Sequence, residues 1–271
     1  MRASQGSGIE KTPGALVIAA HPDDETIGAG ILMSQTPGVQ IVHVTEGSPP
    51  NLSDARASGF STRQAYAKAR RTEAVKALAK AGIREDAITN LCFVDQQVSF
   101  HMEDLAFRIV ELIEETKPKI LLTHAYEGGH PDHDAVAFAC HLAYQLQYKQ
   151  RGKCVFDLLE FTGYHAENGR IKTYEFLPYR GQEQYRFCLT PEERQLKIDM
   201  LTAFESQSKT LQYFLSPQSE TFRRAPIYDF SRAPHDGKLF YEYFDWGIDG
   251  QTWRTLSCEA LNRLDRGRLA S

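Results

Sequence analysis

The chain of 271 residues is 42% hydrophobic and 24% charged, a composition that suits one large α/β domain with a sizeable core. Its formal net charge of −4, with acids and bases spread along the chain, argues against a nucleic-acid or anionic-membrane partner. Its five cysteines are scattered without a C-x-x-C pair, and no apolar run approaches the ~20 residues of a membrane span. We therefore expect a cytoplasmic protein with a flexible polar leader at 1–12 and one domain over 13–271.

Strands and helices alternate along the first half of the chain. The predicted strands cover 15–20, 39–45, 88–94 and 120–122, and the predicted helices cover 26–35, 61–81 and 101–117. This alternation predicts a Rossmann-like, doubly wound and mainly parallel sheet. A dinucleotide site is not expected, because Met33 stands where the third glycine of the fingerprint is required.

A first polar cluster, His-Pro-Asp-Asp-Glu at 21–25, lies at the predicted carboxyl end of the first strand. Open α/β sheets bind ligands at that edge. Since adjacent side chains diverge, Asp23 and Asp24 are expected to do different work, one binding a metal and the other handling a proton. Helix capping by Asp24 or Thr26, with Glu25 in the first turn, is the structural alternative.

The second strand leads into a long loop at 46–60, rich in Ser, Pro, Gly and Asn. Loops of this length in compact domains are often functional, and this one is expected to flank the first polar cluster. His43, inside the strand, is interpreted as a hydrogen-bonded structural histidine rather than a ligand.

A second polar cluster, Gly-His-Pro-Asp-His at 129–133, follows the fourth strand and precedes a helix predicted over 135–148. Neighbouring parallel strands would bring the two clusters face to face. Their histidines and carboxylates suffice for a catalytic zinc site with three protein ligands. Because a proline turn separates His130 from His133, we expect one to bind the metal and the other to face the substrate.

The two motifs, in this order and on these element boundaries, resemble the PIG-L (LmbE-like) zinc-dependent de-N-acetylase family over residues 13–165. Val44-Thr45-Glu46-Gly47 fits the family's strand followed by T-x-G, and residues 70–74 fit its R-x-x-E-A segment. The resemblance implies a zinc cofactor held by His21, Asp24 and His133. It also implies a catalytic set: Asp23 as general base, His130 as electrostatic stabiliser and acid, and Asp132 as the residue that orients His130.

Two further positions follow from the same resemblance. Arg70 would contact a polar part of the substrate, although Arg70 or Arg71 could equally be an exposed helix charge. Some family members carry a tyrosine two residues before the first histidine of the second motif, where this chain has Gly128. Tyr126 is near in sequence, and whether it replaces that tyrosine is left open.

The function implied by the resemblance is zinc-dependent hydrolysis of the N-acetyl group of an N-acetylated amino sugar, in a GlcNAc-type conjugate. Acetate and the free amine would be released. Alternatives are hydrolysis of another amide or of a phosphoester, and, from a different class, a non-catalytic metal- or sugar-binding module.

A homo-oligomer is compatible with the sequence. Loop 46–60 and the region after 165 are expected to select the aglycone.

The carboxyl-terminal third predicts a small β-rich extension. Strands are expected at 155–162, 173–177 and 185–189, with a hairpin turn through Asn168-Gly169 and a helix from the capping box at 190–193. Aromatic residues after 229 are expected mainly to pack onto the domain, with one or two at the substrate mouth. His165 is a candidate for the rim of the pocket.

Overall fold

A central sheet organises the part of the chain that the computed structural model describes, residues 14–153 and 155–267. Its strands are β1 (Ala15–Ala19), β2 (Gln40–Thr45), β3 (Ile88–Phe93), β4 (Ile120–His124) and β5 (Asp157–Phe161), joined later in the chain by β8 (Gln184–Cys188) and β9 (Ser219–Arg224). The order is β3-β2-β1-β4-β5-β9-β8. β1 to β5 pair in parallel, whereas β9 pairs in antiparallel fashion with β5 on one side and with β8 on the other. The mainly parallel sheet of a single α/β domain is therefore confirmed, while the predicted leader at 1–12 lies outside the described residues.

Helices cover both faces of this sheet. They are α1 (Asp24–Ser34), α2 (Ser53–Ala57), α3 (Arg63–Lys80), α4 (Met102–Thr116), α5 (Pro131–Arg151), α6 (Pro191–Leu201), α7 (Ser208–Leu211) and α8 (Gly250–Gly267). Successive side chains of β1 point to opposite faces of the sheet and so belong to two different hydrophobic cores. Leu16 and Ile18 pack with α4, α5 and α8, whereas Val17 packs with α1, α3 and α6. Within the described residues, no helix is both long and apolar enough to cross a membrane.

The two polar motifs meet because β1 and β4 are neighbours in the sheet. Val17 pairs with Leu122 in parallel register, so both strands end at the same edge. The helices that follow, α1 and α5, begin there. The predicted placement of both histidine motifs at one sheet edge is confirmed.

Some predicted boundaries are wrong. α5 begins at Pro131 rather than Ala135, because Pro131 fills the first helical position and His130 caps the helix. In the carboxyl-terminal part, β6 (Tyr164–Glu167) and β7 (Arg170–Thr173) form the predicted hairpin. No strand covers the predicted range 173–177: β7 ends at Thr173, because the next residue, Tyr174, takes a positive φ of 61° that is not compatible with a strand. β8 and β9 extend the main sheet beside β5.

Helix α1 is broken in the middle. Ala29 has non-helical angles (φ −144°, ψ 19°), so the amides that follow lack helical partners. Glu220 of β9 accepts hydrogen bonds from the amides of Ile31 (2.8 Å) and Leu32 (2.9 Å). Its Oε1 also binds Lys197 Nζ at 2.6 Å, and both side chains are buried. The carboxylate thus caps the second half of α1.

Candidate metal centre and catalytic cleft

The three predicted zinc ligands converge on one point. His21 Nδ1 lies 3.0 Å from Asp24 Oδ2 and 3.3 Å from His133 Nε2, and His133 Nε2 lies 3.1 Å from Asp24 Oδ1. Donor atoms around a tetrahedral zinc ion with bonds near 2.0–2.1 Å are about 3.3 Å apart. The donor set therefore fits zinc in spacing and in chemistry, with one carboxylate and two imidazoles.

Local structure explains how the ligands are placed. His21 follows β1, Asp24 is the first residue of α1, and His133 lies in the first turn of α5. All three are buried. Burial alone would raise the pKa of Asp24, yet His133 and His124 hold it well below its usual range. Asp24 is consequently a carboxylate at neutral pH, the form that binds metal.

Two carboxylates support His21 from the opposite side of its ring. His21 Nε2 lies 3.0 Å from Asp95 Oδ1 and 3.4 Å from Asp132 Oδ2. Although burial opposes it, Asp95 and Asp132 hold the pKa of His21 well above its usual value, with a further contribution from Asp24. Such partners fix the orientation of a metal-binding imidazole. Asp95 was not predicted, and its only sequence signal is its position just after β3.

His124, the last residue of β4, is another site residue that sequence reasoning missed. Its Nε2 accepts a hydrogen bond from the amide of Ala20 (2.9 Å). Its ring stacks on that of His133 with centroids 4.1 Å apart, and it lies 3.6 Å from Asp24 Oδ2. Ligand atoms of Asp24, His124 and His133 also lie close enough together to hold a metal ion. Because the Ala20 amide occupies the near nitrogen of His124, we interpret this residue as a support for His133.

Asp23 occupies a strained position beside the ligands. Its φ of 147° and ψ of −28° are uncommon for a residue with a Cβ, and strain of this kind is concentrated at functional sites. The helix-capping alternative is wrong about the N-cap, which is Asp23 rather than Asp24 or Thr26 and makes no side-chain capping bond, whereas Glu25 does lie in the first turn of α1 as expected. Burial raises the pKa of Asp23 to about 8 although Arg70 acts in the other direction. A carboxyl group with such a pKa can exchange a proton near neutral pH.

Arg70 is a buried residue of the cleft rather than an exposed helix charge. Its guanidinium donates to the carbonyls of Gly47 (2.8 Å) and Pro22 (3.0 Å) and to Asp23 Oδ2 (2.9 Å). A Cβ at Gly47, where φ is +69°, would come within 2.6 Å of Arg70 Nη1, so the glycine is required. Arg71 instead donates to the carbonyl of Ile88 at the helix flank. Contact between Arg70 and substrate stays a prediction.

His130 faces the ligands, but its orientation does not come from the predicted group. Its Nδ1 accepts a hydrogen bond from the backbone amide of Asp132 (3.1 Å), which places the hydrogen of the neutral ring on Nε2. The Asp132 carboxylate binds the amides of Gln96 (2.6 Å) and Val98 (3.1 Å) and lies near His21. The prediction that this carboxylate orients His130 is therefore wrong: the backbone amide does so, and the carboxylate supports His21.

The environment of His130 favours its neutral form. Burial, and then the charges of His21 and His133, hold the pKa of His130 well below its usual value. The ring of Trp246 lies 4.6 Å from that of His130, centroid to centroid. Trp246 thus confirms that a carboxyl-terminal aromatic residue reaches the cleft. His165, in contrast, is buried beside Glu127 and not at the rim of this cleft.

Tyr126 cannot take the place of the tyrosine missing at Gly128. Its hydroxyl donates to the carbonyl of Arg232 (2.9 Å), and its ring stacks on Trp253 in the core. At Gly128, where φ is +70°, a Cβ would lie 2.7 Å from Leu239. The tyrosine that lines the cleft beside the ligands is Tyr164.

An open cleft leads from the ligands to the surface. Loop 46–60 flanks it, as predicted, and contributes Asp54 from α2. Its lining includes His21, Asp23, Asp24, Asp54, Tyr66, Arg70, Asp95, Gln96, His130, His133, Tyr164, Gln207, Thr210 and Trp246. Most of these side chains are polar, which suits a hydrophilic ligand.

Residues 16–144, which contain both histidine motifs, match the PIG-L family, described as GlcNAc-PI de-N-acetylase. These residues form a PIG-L domain. Among curated proteins, the domain is similar to a 1D-myo-inositol 2-acetamido-2-deoxy-alpha-D-glucopyranoside deacetylase of Salinispora arenicola. The two are 32% identical over 154 residues, which cover 48% of this chain and 50% of the relative. The chain spans about half the length of the curated relatives it matches.

Solved structures with a similar fold cover more of the chain. A deacetylase of teicoplanin biosynthesis has a TM-score of 0.59 at 18% identity, covering 77% of this chain and 96% of that one. An N,N'-diacetylchitobiose deacetylase of Pyrococcus horikoshii has a TM-score of 0.54 at 16% identity, covering 78% and 83%. At these identities the likeness shows a shared fold that extends beyond the PIG-L domain.

Proposed function

We propose that this protein is a zinc-dependent N-deacetylase that hydrolyses the N-acetyl group of an N-acetylated amino sugar in a GlcNAc-type conjugate. The observation that carries the proposal is the triangle of His21, Asp24 and His133 donor atoms, with the titratable carboxyl of Asp23 beside it. The named deacetylase activities of the similar proteins support the same reaction class.

A zinc ion in this triangle would lower the pKa of bound water toward ~7 and polarise the amide carbonyl. Asp23 takes a proton from the attacking water as general base. Arg70 binds Asp23 Oδ2 and so holds the carboxyl in place. Asp23 gains one proton when it deprotonates the attacking water, and the departing amine needs one proton. Asp23 can therefore pass the same proton to the amine nitrogen.

His130 stabilises the transition state. Because its Nδ1 accepts the Asp132 amide, its Nε2 carries a hydrogen and can donate it to the oxyanion that forms from the acetyl carbonyl. A neutral imidazole is a weak acid, so we assign His130 the hydrogen bond rather than the protonation of the amine. The expected acid role of His130 is accordingly replaced by that of Asp23.

The test is an assay of the zinc-loaded protein on N-acetylated glycosides, with acetate and primary amine measured together. We expect equal amounts of both products and loss of activity after chelation. His133→Ala should lose zinc and activity together. His130→Ala should keep zinc and lose on the order of 10²-fold in kcat, as for a removed oxyanion donor.

Other results would contradict the proposal. Phosphate release from a phosphoester, without acetate release from any acetylated sugar, would indicate a different hydrolase. Stoichiometric zinc binding without turnover of any acylated sugar would indicate a binding module. Zinc loss in His130→Ala with zinc retention in His133→Ala would reverse the two histidine roles.

A further inference from the structure

Tyr164 lines the cleft next to the donor triangle. It is the first residue of β6, and its ring meets that of His133 edge to face, with centroids 5.3 Å apart and an interplanar angle of 69°. The carboxylates of Asp24 and Asp23 are close enough to influence its phenol. Tyr164 belongs to neither histidine motif, and it enters the site from the region after the PIG-L domain.

The hydroxyl of Tyr164 lacks a protein partner. Within residues 14–153 and 155–267 it makes no hydrogen bond. Tyr66, which also lines the cleft, contrasts with it because its hydroxyl oxygen accepts a hydrogen bond from the Gln207 side-chain amide at 2.5 Å. A half-buried phenol without a partner loses hydrogen-bond energy unless a ligand or solvent supplies one. The hydroxyl is therefore free to donate to a ligand oxygen that enters the cleft.

Close packing fixes Tyr164 in place. A Cβ at Gly129 would lie 2.0 Å from the carbonyl oxygen of Tyr164, so the start of β6 is pressed against the turn before His130. The ring also contacts Phe240 at 5.4 Å and Phe214 at 6.1 Å between centroids. A donor that is already positioned needs no reorganisation during the reaction, which is what oxyanion stabilisation requires.

We propose that Tyr164 is a catalytic residue whose hydroxyl donates a hydrogen bond to the acetyl carbonyl oxygen of the substrate as that oxygen becomes an oxyanion. The proposal rests on the proposed deacetylase function. A phenol with an ordinary pKa of about 10 keeps its hydrogen at neutral pH, so the hydroxyl of Tyr164 is available as a donor. No proton is transferred, and the bond complements the one from His130 Nε2.

The experiment compares Tyr164→Phe with the wild-type enzyme on the best N-acetylated glycoside. We expect kcat to fall on the order of 10²-fold while KM changes less than about threefold, as for a bond made mainly in the transition state. Zinc content and melting temperature should match those of the wild type. Tyr126→Phe is the matched control: it loses a hydroxyl bonded to Arg232 outside the cleft, so its melting temperature should fall and its kcat should not.

Each remaining outcome counts against the assignment. A Tyr164→Phe enzyme with wild-type kcat would overturn it. A rise in KM alone would also overturn it, because it would show that the hydroxyl binds the substrate equally well before and in the transition state. Loss of zinc or of thermal stability in Tyr164→Phe would show a structural role. A wild-type protein inactive on every acetylated sugar would refute the deacetylase function and this inference together, whereas an active wild type with an unaffected variant refutes this inference alone.

Discussion

At the scale of single residues, the Arg70–Asp23 pair determines how readily the proposed base ionises. The guanidinium lies 2.9 Å from Asp23 Oδ2 and 3.7 Å from Asp95 Oδ2, and all three groups are buried. Burial raises the pKa of Asp23, and Arg70 is the first of the groups that lower it. The cation therefore keeps the carboxyl ionisable near neutral pH.

We predict that Arg70→Gln moves the acidic limb of the kcat/KM profile to higher pH. Removing the cation raises the pKa of Asp23, so a larger share of the base is protonated at neutral pH, with a loss of about tenfold per pKa unit. Arg71→Gln, one residue along the same helix but bonded to Ile88 at its flank, should leave the profile in place. A profile unchanged by Arg70→Gln would exclude this role, and substrate contact would then be tested through KM.

At the scale of elements, the break in α1 depends on a buried ion pair. Glu220 caps the amides of Ile31 and Leu32 and is the hydrogen-bonded partner of the buried Lys197. This arrangement ties β9 and α6 to the helix that begins at Asp24. The antiparallel edge of the sheet thus packs against the helix that carries the first histidine motif.

We predict that Glu220→Ala lowers the free energy of unfolding by about 3–5 kcal/mol, because it leaves the buried Lys197 without its partner and the amides of Ile31 and Leu32 without their cap. Glu220→Gln combined with Lys197→Met should recover much of this loss, since the amide oxygen still caps α1 and no buried charge remains. Urea unfolding measures both, with the exposed Glu192→Ala of α6 as control. Equal losses in the single and the double variant would show that the ion pair is not the cause.

Sequence reasoning succeeded where the signals are local. Apolar runs and proline or glycine breaks located β1 to β5, and the two motifs located His21, Asp24 and His133. Asp95, His124 and Tyr164 carry no such signal, because each becomes part of the site only through the tertiary packing of its own element. The role of Asp132 was misassigned for the same reason: its carboxylate is bound by the chain after β3, which the spacing of the motif does not encode.

At the scale of the whole molecule, a buried polar network joins the turn before the second motif to the carboxyl-terminal region. Glu127 Oε1 accepts the amide of Leu177 at 2.6 Å and lies 4.0 Å from Arg223. Arg223 in turn binds Glu160 Oε2 at 2.8 Å and the hydroxyl of Tyr228. Burial raises the pKa of Glu127 to about 8 although Arg223 lowers it, so the folded protein holds a proton there at neutral pH.

We predict that Glu127 makes the wild type less stable as pH rises. Its folded pKa of about 8 exceeds the reference value of 4.5, so its contribution is complete below about pH 4.5 and is lost as pH passes through 8. Glu127→Gln cannot ionise, and its unfolding free energy should therefore vary less with pH over this window. Urea unfolding at several pH values measures the difference, with the exposed Glu115→Gln as control. Parallel curves for wild type and Glu127→Gln would refute the prediction.

The adjacency of β1 and β4 has a consequence for how the proposed zinc site forms during folding. His21 and His133 are 112 positions apart in the chain, so a growing polypeptide carries two of the three donor residues until the start of α5 has been synthesised. Pairing of β4 with β1 closes a long loop, which is a slow and entropically costly step that zinc cannot assist beforehand. An ion that binds only the finished arrangement stabilises the native state rather than the folding transition state. Zinc should accordingly lengthen the lifetime of the folded protein while leaving its rate of formation unchanged.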